Sequence, residues 1–191
     1  MKGSSIVALI PFALIFAAGC EQRQAASVPA PSPFLLTASI QDVMQSEVDP
    51  SADYLWDIVS TVSSEAGVVQ HQPRTDEEWM EARHKAIVLV EATNLLVMEG
   101  RHVAEEGKKL EDEGKPGILT AAQIQKLIDD DHASFVSYAH GLHEAGVQAL
   151  RAIDAKDANA LLEAGGVIDA ACEACHVKYW YPNQQIPDAA K

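Results

Sequence analysis

Cys172, Glu173, Ala174, Cys175 and His176 follow one another near the C-terminal end of the chain. Two thiols stand three residues apart, and an imidazole comes directly after the second. On a helix, at about 100° per residue, Cys175 lies about 60° from Cys172 and His176 about 40° to the other side. Two sulfurs and one ring nitrogen then leave the same flank. That set suits attachment of c-type haem. The thiols bond the two vinyl-derived carbons of the porphyrin, and the imidazole is left beside the iron as proximal ligand. Other uses of paired cysteines fit less well. A redox-active dithiol sits at a helix N-terminus after a strand, where the dipole lowers a thiol pKa; here the pair closes a helical pattern. A structural zinc site wants four Cys or His ligands, and the chain holds only three cysteines in all. A disulfide across two residues within a helix would be strained.

The elements that must position this site read as helices. A first helix is expected over about Thr37 to Val62, with Ile40, Val43, Met44, Val48, Leu55, Val59 and Val62 on one face. Asp49-Pro50 interrupts it, which predicts a kink or short break. Thr75-Asp76-Glu77-Glu78 is a capping box that opens a second helix, with Trp79, Ala82, Ala86, Leu89, Thr93 and Leu96 in alternating steps of three and four. That seam extends to Val103, with Gly107 as a stop. Gly114-Lys115-Pro116-Gly117 is a break. Thr120 to Gln123 is a second capping box and opens a third helix. Its seam runs from Ile124 through Phe135, Leu142 and Ala149, and Asp131 spoils it. After a linker at Asp154 to Asp157, Leu161, Gly165, Ile168, Cys172, Cys175 and Tyr179 continue at spacings of four and three until Pro182. The expected fold is all-α: an antiparallel up-down-up-down four-helix bundle with the haem near the C-terminal end of helix four.

The N-terminal segment carries one Lys, an apolar run from Ile6 to Ala18, and then Gly19-Cys20. A basic start, a short apolar core and small exit residues read as an export signal. The run falls short of the roughly 20 apolar residues that span a bilayer. Ala17-Ala18-Gly19-Cys20 resembles a bacterial lipobox, which makes residues 1–19 a lipoprotein signal peptide and Cys20 the lipidation site. Glu21 in place of Asp favours the outer membrane of a Gram-negative bacterium. Residues 20–33 read as a flexible Ala/Ser/Pro/Gln tether, residues 34–181 as the bundle and residues 182–191 as a tail. Twenty-eight acidic against fourteen basic residues give a net charge of −14. Loss of the signal removes Lys2 and makes the chain more negative still. That balance argues against nucleic acid as a partner and suits a basic or neutral protein.

A four-helix chain with one Cys-x-x-Cys-His near its end resembles the cytochrome c′ family. The resemblance covers Phe34 to Tyr181 and is specific at Cys172 to His176. It implies one covalent haem c inside the bundle, a periplasmic setting and redox partner proteins. Many members also form a homodimer through the first two helices. Some members are five-coordinate and bind nitric oxide or carbon monoxide. Others are six-coordinate electron carriers with a first-helix methionine on the iron. The family often places an aromatic and then a basic residue after the haem histidine. Lys178-Tyr179-Trp180 changes that order.

In such a bundle the end of helix four lies beside the start of helix one, the end of helix two and the start of helix three. Met44, Met98, His102 and His132 fall at that end, and Met80 falls at the other. Met44 shares the apolar face with Ile40 and matches the first-helix methionine of the six-coordinate relatives. The other reading of Met44 is a gap-filling core residue. Met98 lies beside its seam, and His102 and His132 lie off theirs. Val43, Glu47, Val48, Ile168, Ala171 and Tyr179 are expected around the haem. His140 and His143 read as an exposed face. The sequence points to a one-electron carrier with His176 and Met44 on the iron. A five-coordinate gas-binding cytochrome is the alternative, and a structural lipoprotein is a third class. No triad pattern or phosphate-binding loop points to an enzyme.

Overall fold

The structure is a computed structural model that describes residues 33–65 and 67–182. Cys20, the signal segment and most of the tether lie outside the described residues, as does the tail after residue 182. The first rod of the fold runs from Ile40 to Asp57 in three joined pieces: α1 (Ile40–Val43), a π-helical stretch (Met44–Val48) and α2 (Asp49–Asp57). Its start is a capping box: Ser39 Oγ accepts from the Asp42 N–H, and the Asp42 carboxylate accepts from Ser39 N–H at 2.9 Å.

The break expected at Asp49-Pro50 takes a different form. Pro50 lacks an N–H, and its ring crowds the carbonyl four residues back. The turn before it widens, so that Met44 C=O accepts from Asp49 N–H five residues on. The rod stays continuous, with proline tolerated in the first turn of α2.

The first rod also ends earlier than expected. Thr61–Ser64 (β1) and Gly67–Gln70 (β2) form an antiparallel hairpin, with Val62 opposite Val69 and Ser63 opposite Val68. Val62 is half exposed rather than part of the core. β-branched and short polar side chains favour the pleated backbone here over another helical turn.

The second rod is α3 (Asp76–Leu96), and both halves of its predicted capping box are made, between Thr75 and Glu78. It stops at Leu96, well short of Gly107. Gly100 adopts a φ of +86°, and the Arg101 side chain folds back so that Nε donates to Leu95 C=O at 2.7 Å. A helix end leaves such carbonyls without partners, and Arg101 supplies one. Val103, though beyond the helix, is still buried.

The third rod is broken in two, α4 (Ala121–Asp130) and α5 (His132–Asp154). Asp131 sits at the break, exposed, and its carboxylate caps α5 by accepting from Ser134 N–H at 3.0 Å. The residue that spoiled the seam is thus a cap. The fourth rod is α6 (Ala158–Tyr179), capped by Asp157.

The rods alternate in direction. Arg83 of α3 pairs with Asp154 at the end of α5 at 2.8 Å, and Lys156 pairs with Asp76. At the opposite end, Ile40 N–H donates to His102 C=O at 2.8 Å, and Leu119 N–H donates to Trp180 C=O at 2.8 Å. Trp56 of α2 closes the ring of rods by donating from Nε1 to Gly165 C=O of α6 at 2.9 Å. The result is the antiparallel up-down-up-down four-helix bundle, with Leu55, Leu89, Leu161 and Ile168 fully buried along its axis. No helix among the described residues is long and apolar enough to cross a membrane.

Candidate functional site

The last turns of α6 present Cys172, Cys175 and His176 to one cavity at the end of the bundle where α1 begins. The helical spacing does what it must: all three side chains are half-buried and line the same wall. Met44 and Ile40 of the first rod, Phe135 and Leu142 of α5, and Leu110 and Glu111 of the α3–α4 connection also line it. The cavity has a volume of about 160 Å³ and opens to solvent at its rim. Its surface is mainly apolar side chains with few polar groups, the usual make-up of a cofactor pocket.

The π turn decides which residues of the first rod face the cavity. In a regular α-helix Met44 and Asp49 would lie about 140° apart. With the widened turn between them, both line the pocket. Val48, within that turn, is fully buried in the core. Val43, Glu47, Val48 and Ile168, expected beside the haem, do not line the cavity. Ala171 and Tyr179 do.

Electrostatics set the state of each group. Burial pushes the Cys172 thiol up to about 11 and the Cys175 thiol up to about 12, with Asp49 and Asp169 adding to the first. Thiols in that state are poor nucleophiles at neutral pH, the opposite of a redox-active dithiol. Burial pushes His176 below the usual histidine range, against a smaller opposing effect of Glu173. A neutral imidazole keeps a nitrogen lone pair free for a metal. At the rim, partial burial and then the nearby Asp53 and Glu111 raise Asp49.

Aromatic residues enclose the imidazole. Trp180 stands edge-on to His176 with ring centroids 5.1 Å apart, and Tyr181 lies 6.1 Å away. The Tyr181 hydroxyl donates to the Glu173 carboxylate, and burial, then that bond, pushes Tyr181 up to about 12. Trp180 also lines the cavity. Its Nε1 is buried and has no hydrogen-bond partner.

The other candidates for the iron's far side stand elsewhere. Met98, His102 and His132 line a second cavity, from which Met44 and the cysteines are absent. Met98 Sδ accepts from Arg101 Nη2 at 3.3 Å. Met80 is exposed. His143 is not simply a surface residue: its Nδ1 lies 3.0 Å from Thr93 Oγ1, and that hydroxyl donates to Val90 C=O. Among the described residues no group of three or more His, Cys, Asp or Glu is arranged to hold a bare metal ion.

The donor set fits a haem: two thiols and an imidazole on one wall, a thioether from the first rod, apolar surface around them, and one buried N–H without an acceptor. Sequence patterning did not reveal Gln45, Asp49, Leu110, Glu111 or Trp180 as cavity residues. Leu110, an isolated apolar residue in a charged connection, was the one available signal for the lid.

No protein-family model matches the chain, and no curated protein matches it in sequence. Among solved structures it is similar to the nitric oxide complex of a leucine-to-isoleucine mutant of cytochrome c prime from Alcaligenes xylosoxidans, at 22% identity and a TM-score of 0.45, covering 75% of this chain and 97% of that one. A ferrous arginine-to-lysine variant of cytochrome c prime from Alcaligenes xylosoxidans with bound nitric oxide gives 21% identity and a TM-score of 0.46, over 75% and 97% of the two chains. A further structure described as cytochrome c′ gives 21% and 0.46, over 75% and 98%. The reading of the site rests on this chain's own residues.

Proposed function

We propose that the chain is a mono-haem c-type cytochrome of the cytochrome c′ kind, acting as a one-electron carrier rather than an enzyme. The observation that carries this reading is the convergence of Cys172, Cys175, His176 and Met44 on one apolar cavity. Cys172 and Cys175 hold the cofactor covalently through thioethers. His176, kept neutral by burial, is the proximal ligand, and Met44 is the sixth ligand. When bound, the haem supplies an iron that gains or loses one electron, with a potential raised by His/Met ligation. Phe135, Leu142 and Ile40 would exclude water from a bound haem, and Trp180 and Tyr181 pack against the imidazole that would hold it.

The setting belongs to the same proposal. An export signal and acylation of Cys20 would hold the bundle at a periplasmic membrane face, most simply that of the outer membrane, on a tether of about a dozen residues. The acidic surface favours a basic or neutral redox partner.

The optical spectrum of the protein from a cytochrome-maturing host tests the reading. Low-spin bands with a methionine-to-iron charge-transfer feature are expected. A high-spin ferrous spectrum that changes readily with carbon monoxide or nitric oxide would replace the carrier with a five-coordinate gas binder. Absence of haem absorbance would overturn both.

A further inference from the structure

A haem brings two carboxylates into the cavity that receives it, and burying a charge without partners is costly. Among the described residues, those that line this cavity include no Lys and no Arg. Arg101 is committed elsewhere: its guanidinium donates to Leu95 and Ala38 carbonyls and to Met98 sulfur, and it lines the second cavity. Lys178 is exposed on α6 and does not reach the pocket. The donors that remain are neutral. Gln41 Nε2 is engaged with Lys109 C=O at 3.2 Å. Two lining residues, Tyr179 and Trp180, carry buried donors without a hydrogen-bond partner among the described residues, the Tyr179 hydroxyl and Trp180 Nε1; a hydroxyl can also accept.

An indole nitrogen can only donate, and a buried donor without an acceptor costs about 1–3 kcal/mol. His176 as a haem ligand would not relieve it, because one ring nitrogen would hold the metal and the other would be a donor. The backbone of Trp180 is fixed beside the cavity. Its C=O accepts from Leu119 N–H at 2.8 Å, and its N–H donates to His176 C=O at 2.8 Å.

Resting on the haem reading above, we infer that the Trp180 indole N–H is a donor to a cofactor carboxylate, so that a neutral hydrogen bond anchors one propionate in place of a salt bridge. Trp180 then has two tasks, packing against the proximal imidazole and holding the rim of the macrocycle.

Trp180→Phe keeps a ring and removes the donor. Resonance Raman spectra of the haem-loaded variant and wild type separate the two tasks. One propionate bending band is expected to move to lower frequency in the variant, while the same band stays in place in Trp56→Phe, whose indole donates to Gly165 C=O away from the cavity. Superimposable propionate bands in Trp180→Phe and wild type would overturn the inference while leaving the haem assignment intact. Should the variant not load haem, wild type decides. In the diamagnetic ferrous protein, or its carbon monoxide adduct, the Trp180 indole proton should show a nuclear Overhauser contact to a propionate methylene. Lack of that contact refutes the bond. A wild-type chain without covalent haem would instead sink the proposed function itself.

Discussion

The indole of Trp180 meets the imidazole of His176 at an interplanar angle of 88°, with ring centroids 5.1 Å apart. The two residues are one helical turn apart at the end of α6, and the Trp180 N–H donates to the His176 carbonyl. The imidazole is therefore held from behind by a ring whose own backbone is tied to it. Edge-to-face contacts of aromatic pairs contribute about 0.5–1.5 kcal/mol beyond burial. An imidazole held this way has little freedom to tilt, which suits the proposed proximal ligand.

Covalent attachment is the most direct expectation. Acid–acetone extraction should leave the colour with the protein. Cys172→Ala combined with Cys175→Ala should abolish stable attachment and leave haem extractable. Intact haem released from the wild-type chain would remove the thioether assignment.

Met44 is tested by shape against chemistry. Met44→Leu keeps the apolar volume at a cost usually below about 1.5 kcal/mol but removes the thioether. The iron should turn partly high-spin or take up water, and the reduction potential should fall. An unchanged low-spin spectrum would show that Met44 only packs against the core, and the gas-binding reading would then be preferred.

Alkaline pH should weaken the haem-free bundle through its thiols. Their folded-state values, about 11 and about 12, stand above the ordinary 9.0. The fold thus holds protons that the unfolded chain releases. That contribution to stability is complete below about pH 9 and is lost as pH rises through the folded values. Urea midpoints of the haem-free chain should fall more steeply above pH 9 than those of the double Cys172→Ala, Cys175→Ala variant. Parallel curves would mean that the thiols are no harder to ionise in the fold than out of it.

Two glycines of α5 should respond oppositely to alanine. A Cβ on Gly146 would sit 2.8 Å from Cγ2 of Val90, whereas one on Gly141 meets nothing within 4 Å. Val90 is β-branched and stiff, so the second and third rods must part. Gly146→Ala should cost about 1–3 kcal/mol despite the gain in helix propensity. Gly141→Ala should gain up to about 1 kcal/mol. Thermal unfolding of the two variants checks this, and stabilisation by both would mean that the Val90 contact yields freely.

Cys20→Ser should move the cytochrome from the membrane to the soluble periplasmic fraction with its haem spectrum unchanged. One acyl chain binds only marginally and several bind durably. Equal fractionation of wild type and variant would rule out the anchor.

The sequence by itself determined whatever depends on neighbours along the chain. The spacing of Cys172, Cys175 and His176 dictates a shared helical flank because 3.6 residues make a turn. The capping boxes at Thr75 and Thr120 fix two helix starts by bonds three residues long. The alternating steps of three and four supplied the four seams, and an antiparallel order then put Met44 at the same end as His176. Contacts between segments decided the rest. Whether Pro50 breaks the first rod or widens one turn depends on packing on both sides of it, and that choice brings Asp49 into the cavity. The early end of α3 is set by Arg101, whose side chain satisfies the Leu95 carbonyl while also bonding Ala38 in the segment that leads into the first rod. The hairpin at Thr61 to Gln70 needs a partner strand that a helical pattern does not announce. Trp180 gained its place only when Leu119 N–H fastened its backbone beside the cavity. A local pattern fixes the direction in which a side chain leaves its helix; what it meets there depends on residues tens of positions away.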